Sequence, residues 1–120
     1  MNKKLNGKHH TGECSQYVLP IRDTLDILSG KWKLPIIGSL TFGKKRFREL
    51  SRDIPKITPR MLSKELRDLE VNQLVSRTVY DTIPATVEYE LTEYGQSLHK
   101  VLDSLQEWGS QHRKRIIGKK

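Results

Sequence analysis

Thr58 to Val71 reads TPRMLSKELRDLEV, and two features of this stretch decide how the rest of the chain is read. Thr58 followed by Pro59 is a helix start: the threonine hydroxyl can accept from a first-turn N–H, and proline at the first helical position lacks an N–H that would have no partner there. Leu62, Leu66 and Leu69 then recur at helical spacing. At 100° per residue, Arg60, Ser63, Lys64 and Arg67 fall on nearly the opposite side. One face of this helix is built to pack, and the other is built to meet a charged partner.

Working backwards, Phe47, Leu50 and Ile54 mark a shorter helix that ends before Pro55. Ahead of it, Trp32, Ile36, Ile37 and Leu40 form another, with Pro35 within its first turn or so. Before Ser29-Gly30, a set at Ile21, Leu25 and Leu28 predicts a helix from Pro20. Residues 1–12 have no hydrophobic period and read as a flexible tail, residues 13–115 as the folded domain, and 116–120 as a basic tail. Working forwards, the period drops to two. Val75, Arg77 and Val79 share one strand face, and Val87, Tyr89 and Leu91 alternate with Glu88 and Glu90, so two strands follow, joined by a loop over residues 81–86. Thr92-Glu93 opens a last helix. In it Leu91, Tyr94, Leu98, Val101, Leu105, Trp108 and His112 step by three and four, a seam suited to a partner helix.

Charge is concentrated in one segment. The 120 residues hold 22 Lys plus Arg and 14 Asp plus Glu, a net charge of +8. Residues 44–67 carry nine basic and three acidic groups, whereas residues 68–112 carry two basic and eight acidic. Such a block is the footprint of a polyanion binder, because each neutralised phosphate releases counterions. The longest uncharged run, Leu34–Gly43, is ten residues, too short to span a bilayer. No apolar block follows the basic start, so no secretory signal is expected, and with Cys14 as the one cysteine a reducing cytoplasm is the simplest compartment. No phosphate loop, metal-ligand spacing or nucleophile elbow is present, which argues against an enzyme and against a cofactor. Glu88 and Glu90 share a strand face with no partner histidine and make no acid/base pair. His9, His10 and Cys14 lack a fourth metal ligand.

Helix, helix, helix, helix, two strands, helix is the order of a winged helix-turn-helix: mainly α with a two-stranded β wing. In that motif the helix beginning at Thr58 lies in the major groove. Arg60 can fork onto guanine O6 and N7, Ser63 can donate or accept, and Lys64 and Arg67 suit phosphates. Thr58, Pro59 and the helix N-terminus suit a backbone phosphate, and Lys44, Lys45, Arg46 and Arg48 suit the flanking strand.

The sequence also resembles the HxlR-type winged-helix transcriptional regulators, relatives of the MarR group, over about residues 14–109. The resemblance rests on LDILSGKWKLPII, on KKRFRELSRDIPKITPRMLSKELRDLEVNQLVSRTVY, on VEYELTEYG and on LQEWG. It implies a homodimer on a roughly palindromic operator, pairing through the first and last helices, with a wing near the minor groove. On this chain those helices supply Ile21, Leu25, Leu98, Val101, Leu105, Trp108 and His112. It further implies a response to small molecules or to oxidative or electrophilic stress, for which Cys14 occupies the place of an N-terminal sensing cysteine. Two departures stand out. Pro84-Ala85-Thr86 replaces a Pro-Pro-Arg or Pro-Pro-Lys, leaving Arg77 and Tyr80 as the wing candidates. Asn72-Gln73 replaces Asp-Gly after the reading helix, where asparagine tolerates the left-handed conformation.

The alternatives are a basic protein-interaction module docking an acidic partner, and RNA binding. The latter is disfavoured because Phe47, the one aromatic of the basic segment, is needed inside and leaves no stacking platform. Trp32 and Trp108 read as core aromatics rather than as the walls of an effector pocket.

Overall fold

The computed structural model describes residues 11–118, which divide into two compact units at Gly30–Lys31. The first unit contains one helix, α1 (Thr11–Ile27). It begins nine residues ahead of Pro20, where the sequence pattern starts a helix, so Thr11 and Gly12 are helical rather than tail. Pro20 inside a helix removes one backbone donor. Its neighbours are exposed, so water can serve the freed carbonyl of the preceding turn, and Thr24 Oγ1 donates to the Pro20 carbonyl at 2.8 Å. Cys14, Val18, Ile21 and Leu25 step by four, three and four along α1, and all four are exposed. Residues 1–10 of the expected tail, with His9 and His10, lie outside the described residues, as do Lys119 and Lys120. Gly30, at φ +85°, turns the chain out of this unit in a conformation that favours glycine.

In the second unit α2 (Lys33–Leu40), α3 (Phe47–Asp53) and α4 (Pro59–Val71) precede the antiparallel strands β1 (Val75–Tyr80) and β2 (Thr86–Leu91). Their register pairs Val75 with Leu91, Arg77 with Tyr89 and Val79 with Val87. Thr86 belongs to β2 opposite Tyr80, so the loop is one residue shorter than expected. Ile36, Ile37, Leu40, Leu50, Leu62, Leu66 and Leu69 from the helices, with Ile54 and Ile57 from the turn between α3 and α4, close over Leu74, Val75, Tyr89 and Leu91 from the base of the hairpin. The buried leucines of α4 are the three of the sequence stripe. Phe47 is only half-buried.

Two further places depart from the expected layout. The last helix is not continuous: α5 (Glu93–Gln96) is separated from α6 (His99–Ile117) by Ser97-Leu98. Thr92 caps α5, its hydroxyl accepting from the Gly95 N–H at 2.9 Å and donating to the Gln73 carbonyl at 2.7 Å. Gly95 sits so close to the Leu74 carbonyl that a Cβ there would lie 2.1 Å from that oxygen. Short-range bonds from Ser97 to Tyr94 and from Leu98 to Gly95 then tighten the chain before α6 resumes. The break is therefore made by anchoring α5 to the base of the sheet, a long-range constraint that a seven-residue pattern does not report. At its far end α6 includes Ile116 and Ile117, which the sequence reading assigns to the tail.

The second departure concerns the tryptophans. Trp108 is 69% exposed, so it is no core residue, and Trp32 is half-buried. They line separate surface grooves, one with Gln111 and His112, the other with Pro35 and Phe42.

Candidate nucleic-acid interface

The surface that α3, α4 and the preceding loop present is set by local caps. Arg46 is the N-cap of α3, and its N–H donates to Glu49 Oε1 at 2.8 Å. Thr58 Oγ1 accepts from the Met61 N–H at 3.1 Å with Pro59 directly inside the helix, as the sequence implies. Between the two helices Lys56 takes φ 70° while Ile54 and Ile57 turn inward, which makes the sharp corner of the helix pair.

The predicted cations divide into two groups. Arg46, Arg48, Arg60 and Arg67 are exposed, and among the described residues no arginine takes part in an ion pair. Thr58, Pro59 and Arg60 are exposed together at the start of α4, with Ser63 half-buried one turn on. The lysines are engaged. Lys64 Nζ lies 3.1 Å from Asp68 Oδ2, and Lys44 Nζ lies 3.7 Å from Glu88 Oε1. Tyr80 and then Glu88 hold the Lys44 ammonium above its ordinary pKa.

Lys45 differs most from its sequence assignment. Its backbone pairs both ways with Tyr89, at 2.9 and 2.8 Å, adding a one-residue third edge to the wing. Its ammonium donates to Ser39 Oγ at 3.0 Å and to the Asp53 carboxylate. Lys45, and then Ser39, holds the Asp53 carboxyl below the usual carboxylate range. This side chain ties the loop before α3 to the end of α3. Nothing local marks it, because Tyr89 is 44 positions away in the chain.

Arg77 and Tyr80 cannot act together on one side of the wing, since their odd and even positions in β1 place them on opposite faces. Arg77 shares the face of Tyr89, and Tyr80 shares that of Glu88.

The feature missed by sequence reading is ionic and buried. Lys33 and Glu65 are the buried charged residues of the described chain, 6% and 9% exposed, and their Nζ and Oε1 atoms lie 2.5 Å apart. Lys33 also reaches Asp68 at 3.4 Å. Burial lowers the Lys33 pKa, but the two carboxylates more than offset this, so the ammonium stays above its ordinary value. Glu65 stands in the apolar row between Leu62 and Leu69. A charge within a leucine stripe was the available signal, because it requires a partner.

Residues 27–117 match the family model described as HxlR-like helix-turn-helix. The chain belongs to the HxlR-like helix-turn-helix family. Among its relatives, the HTH-type transcriptional regulator YtcD of Bacillus subtilis is 46% identical over 106 residues, covering 88% of this chain and 84% of that protein. Among solved structures, the redox regulator HypR in its reduced form superposes with a TM-score of 0.77 at 42% identity, covering 82% of this chain and 98% of that one. The crystal structure of YtcD gives 0.75 at 48% identity, covering 78% and 96%. This HxlR-family chain is therefore a helix-turn-helix transcriptional regulator of winged architecture, with DNA as its class of partner. No helix among the described residues is long and apolar enough to cross a membrane.

Proposed function

We propose that this chain is a sequence-specific regulator that binds a palindromic duplex operator as a homodimer through α4. The observation that carries the reading is the start of α4: Thr58, Pro59 and Arg60 stand exposed together, and Arg60 and Arg67 have no carboxylate partner while the leucines of the same helix are buried. A guanidinium without an internal partner is ready to fork onto guanine or phosphate. Arg60 and Ser63 are assigned to base edges, Lys64 and Arg67 to phosphates, and Arg46, Arg48 and Lys44 to the flanking strand. Lys45 is reassigned as the residue that holds the loop in place. Of the wing residues, Arg77 is the cation without an ion-pair partner among the described residues, and Tyr80 stands exposed on the opposite face.

Dimerisation is assigned to the exposed apolar faces that α1 and α6 each carry: Ile21 and Leu25 on one, Val101, Leu105 and Trp108 on the other, with His112 stacked on Trp108 at a ring separation of 5.1 Å. Leu98 is half-buried at the α5–α6 turn and contributes little to that face. Cys14 lies in the same row of α1 as Ile21 and Leu25, so a redox response is assigned to its thiol at or beside the pairing surface. A small-molecule effector stays open as a second input.

The test is selection of duplexes from a random pool, followed by titration of the selected site. A symmetric consensus with half-sites about one helical turn apart is expected. Arg60→Ala should cost about 1–3 kcal/mol on that site and relax one base position. An equal loss on every sequence would make Arg60 a phosphate contact. The same titration under mild oxidant should shift the wild type and leave Cys14→Ser unmoved; an equal shift in both removes Cys14 from the reading.

A further inference from the structure

The charged groups of α2 and α4 form a continuous line from the core to the surface. Glu65 Oε1 is 2.5 Å from Lys33 Nζ, Lys33 Nζ is 3.4 Å from Asp68 Oδ2, and Asp68 Oδ2 is 3.1 Å from Lys64 Nζ. Side-chain exposure rises along it, from 8% and 12% for Lys33 and Glu65 to 40% for Asp68 and 65% for Lys64. Arg60, Lys64 and Asp68 follow each other at four-residue steps, so they occupy one row of α4. Lys64 can therefore turn back towards Asp68 or forward to the end of the row where Arg60 stands.

The backward pairing is the weaker orientation. A lysine four residues ahead of an acid gains less than the reverse order, and long helical side chains lean towards the N-terminus. Asp68 also divides its charge between two ammonium groups. We propose that Lys33, which lies buried behind α4, is a positioning residue for DNA reading: by sharing Asp68 it loosens that carboxylate's hold on Lys64 and leaves Lys64 free to swing to a phosphate. The proposal rests on the assignment of α4 to duplex DNA above. Asp68 is then a built-in competitor with phosphate, and Lys33 and Glu65 set its strength from inside. The depressed pKa of Asp68, due first to the Lys64 hydrogen bond and after it to Lys33, keeps the competitor charged down to acid pH.

Lys33 alone cannot be removed cleanly, because Glu65 would be left buried without a partner. The double variant Lys33→Met with Glu65→Leu replaces both by apolar side chains, and such exchanges are often neutral for stability. With its thermal midpoint verified, this variant should bind a duplex selected on the wild type about two- to fivefold more weakly, the scale of one exposed ion pair. Adding Asp68→Asn should restore the affinity, and Lys64→Ala should cost less in the double variant than in the wild type. A loss that Asp68→Asn does not restore, or an equal cost of Lys64→Ala in both backgrounds, would overturn the relay. If the double variant does not fold, Lys33→Met with Glu65→Gln takes its place in the same comparison: a Lys64→Ala cost smaller than in the wild type supports the proposal, and an equal cost refutes it. A wild-type chain that binds no duplex overturns the reading of α4 itself, whereas duplex binding with unchanged coupling overturns the relay alone.

Discussion

Gln73 shows what a single position decides. The Leu74 N–H reaches the Leu69 carbonyl at 3.0 Å and the Gln73 N–H reaches the Glu70 carbonyl at 2.9 Å, the paired bonds of a left-handed helix terminus. The left-handed residue is Gln73, at φ 62°, and not Asn72, at φ −86°. Asparagine's tolerance of this conformation is therefore not called on at Asn72, because the bond pattern requires it one place later. At Gln73 a Cβ-bearing side chain holds an unfavourable backbone. Gln73→Gly should raise stability by roughly 0.5–1 kcal/mol and the thermal midpoint by a few degrees. A midpoint that falls would show that the conformation carries no strain. Gln73 is exposed, so no packing is lost in the exchange.

At the scale of elements, the loop before α3 and the end of α3 are held by charge. Asp53 accepts from Ser39 Oγ at 2.7 Å and from Lys45, joining α2, the loop and α3. Its carboxyl pKa is lowered in the fold by Lys45 first and then Ser39. A carboxylate with a depressed folded pKa contributes stability above its unfolded value, about pH 4, and loses it as pH falls through the folded value. Asp68 contributes in the same direction. Denaturant titrations at falling pH should show wild-type stability dropping below about pH 4, with a shallower drop in Asp53→Asn. Parallel acid limbs in the two proteins would mean that Asp53 is not engaged in solution. The elements themselves were readable from their leucine spacing and from the Thr58-Pro59 cap. The Lys45–Tyr89 edge and the α5–α6 break were not, because both depend on residues brought in from the hairpin.

On the scale of the molecule, α6 leaves Val101, Leu105 and Trp108 at 41%, 49% and 69% exposure. Apolar side chains repeating along one helix face and left in water are what the proposed pairing surface requires. Leu105→Glu with Trp108→Glu should yield monomers by light scattering and weaken binding to a symmetric operator, while the thermal midpoint of the monomeric unit stays readable. A dimer that survives both charges would move the pairing surface elsewhere.

The kinds of elements, the leucine stripe of α4 and the cationic segment over residues 44–67 were legible in one dimension, because helical period, caps and charge are local properties of the chain, and the family was legible through the resemblance of its motifs. Tertiary structure alone decided which cations remain free. Lys45 and Lys33 are written like any other basic residue, but folding sets carboxylates from other elements against them, while Arg60 and Arg67 are left without one. A charge becomes a contact or a strut according to what lies within about 4 Å of it, and that distance is fixed only when distant segments meet.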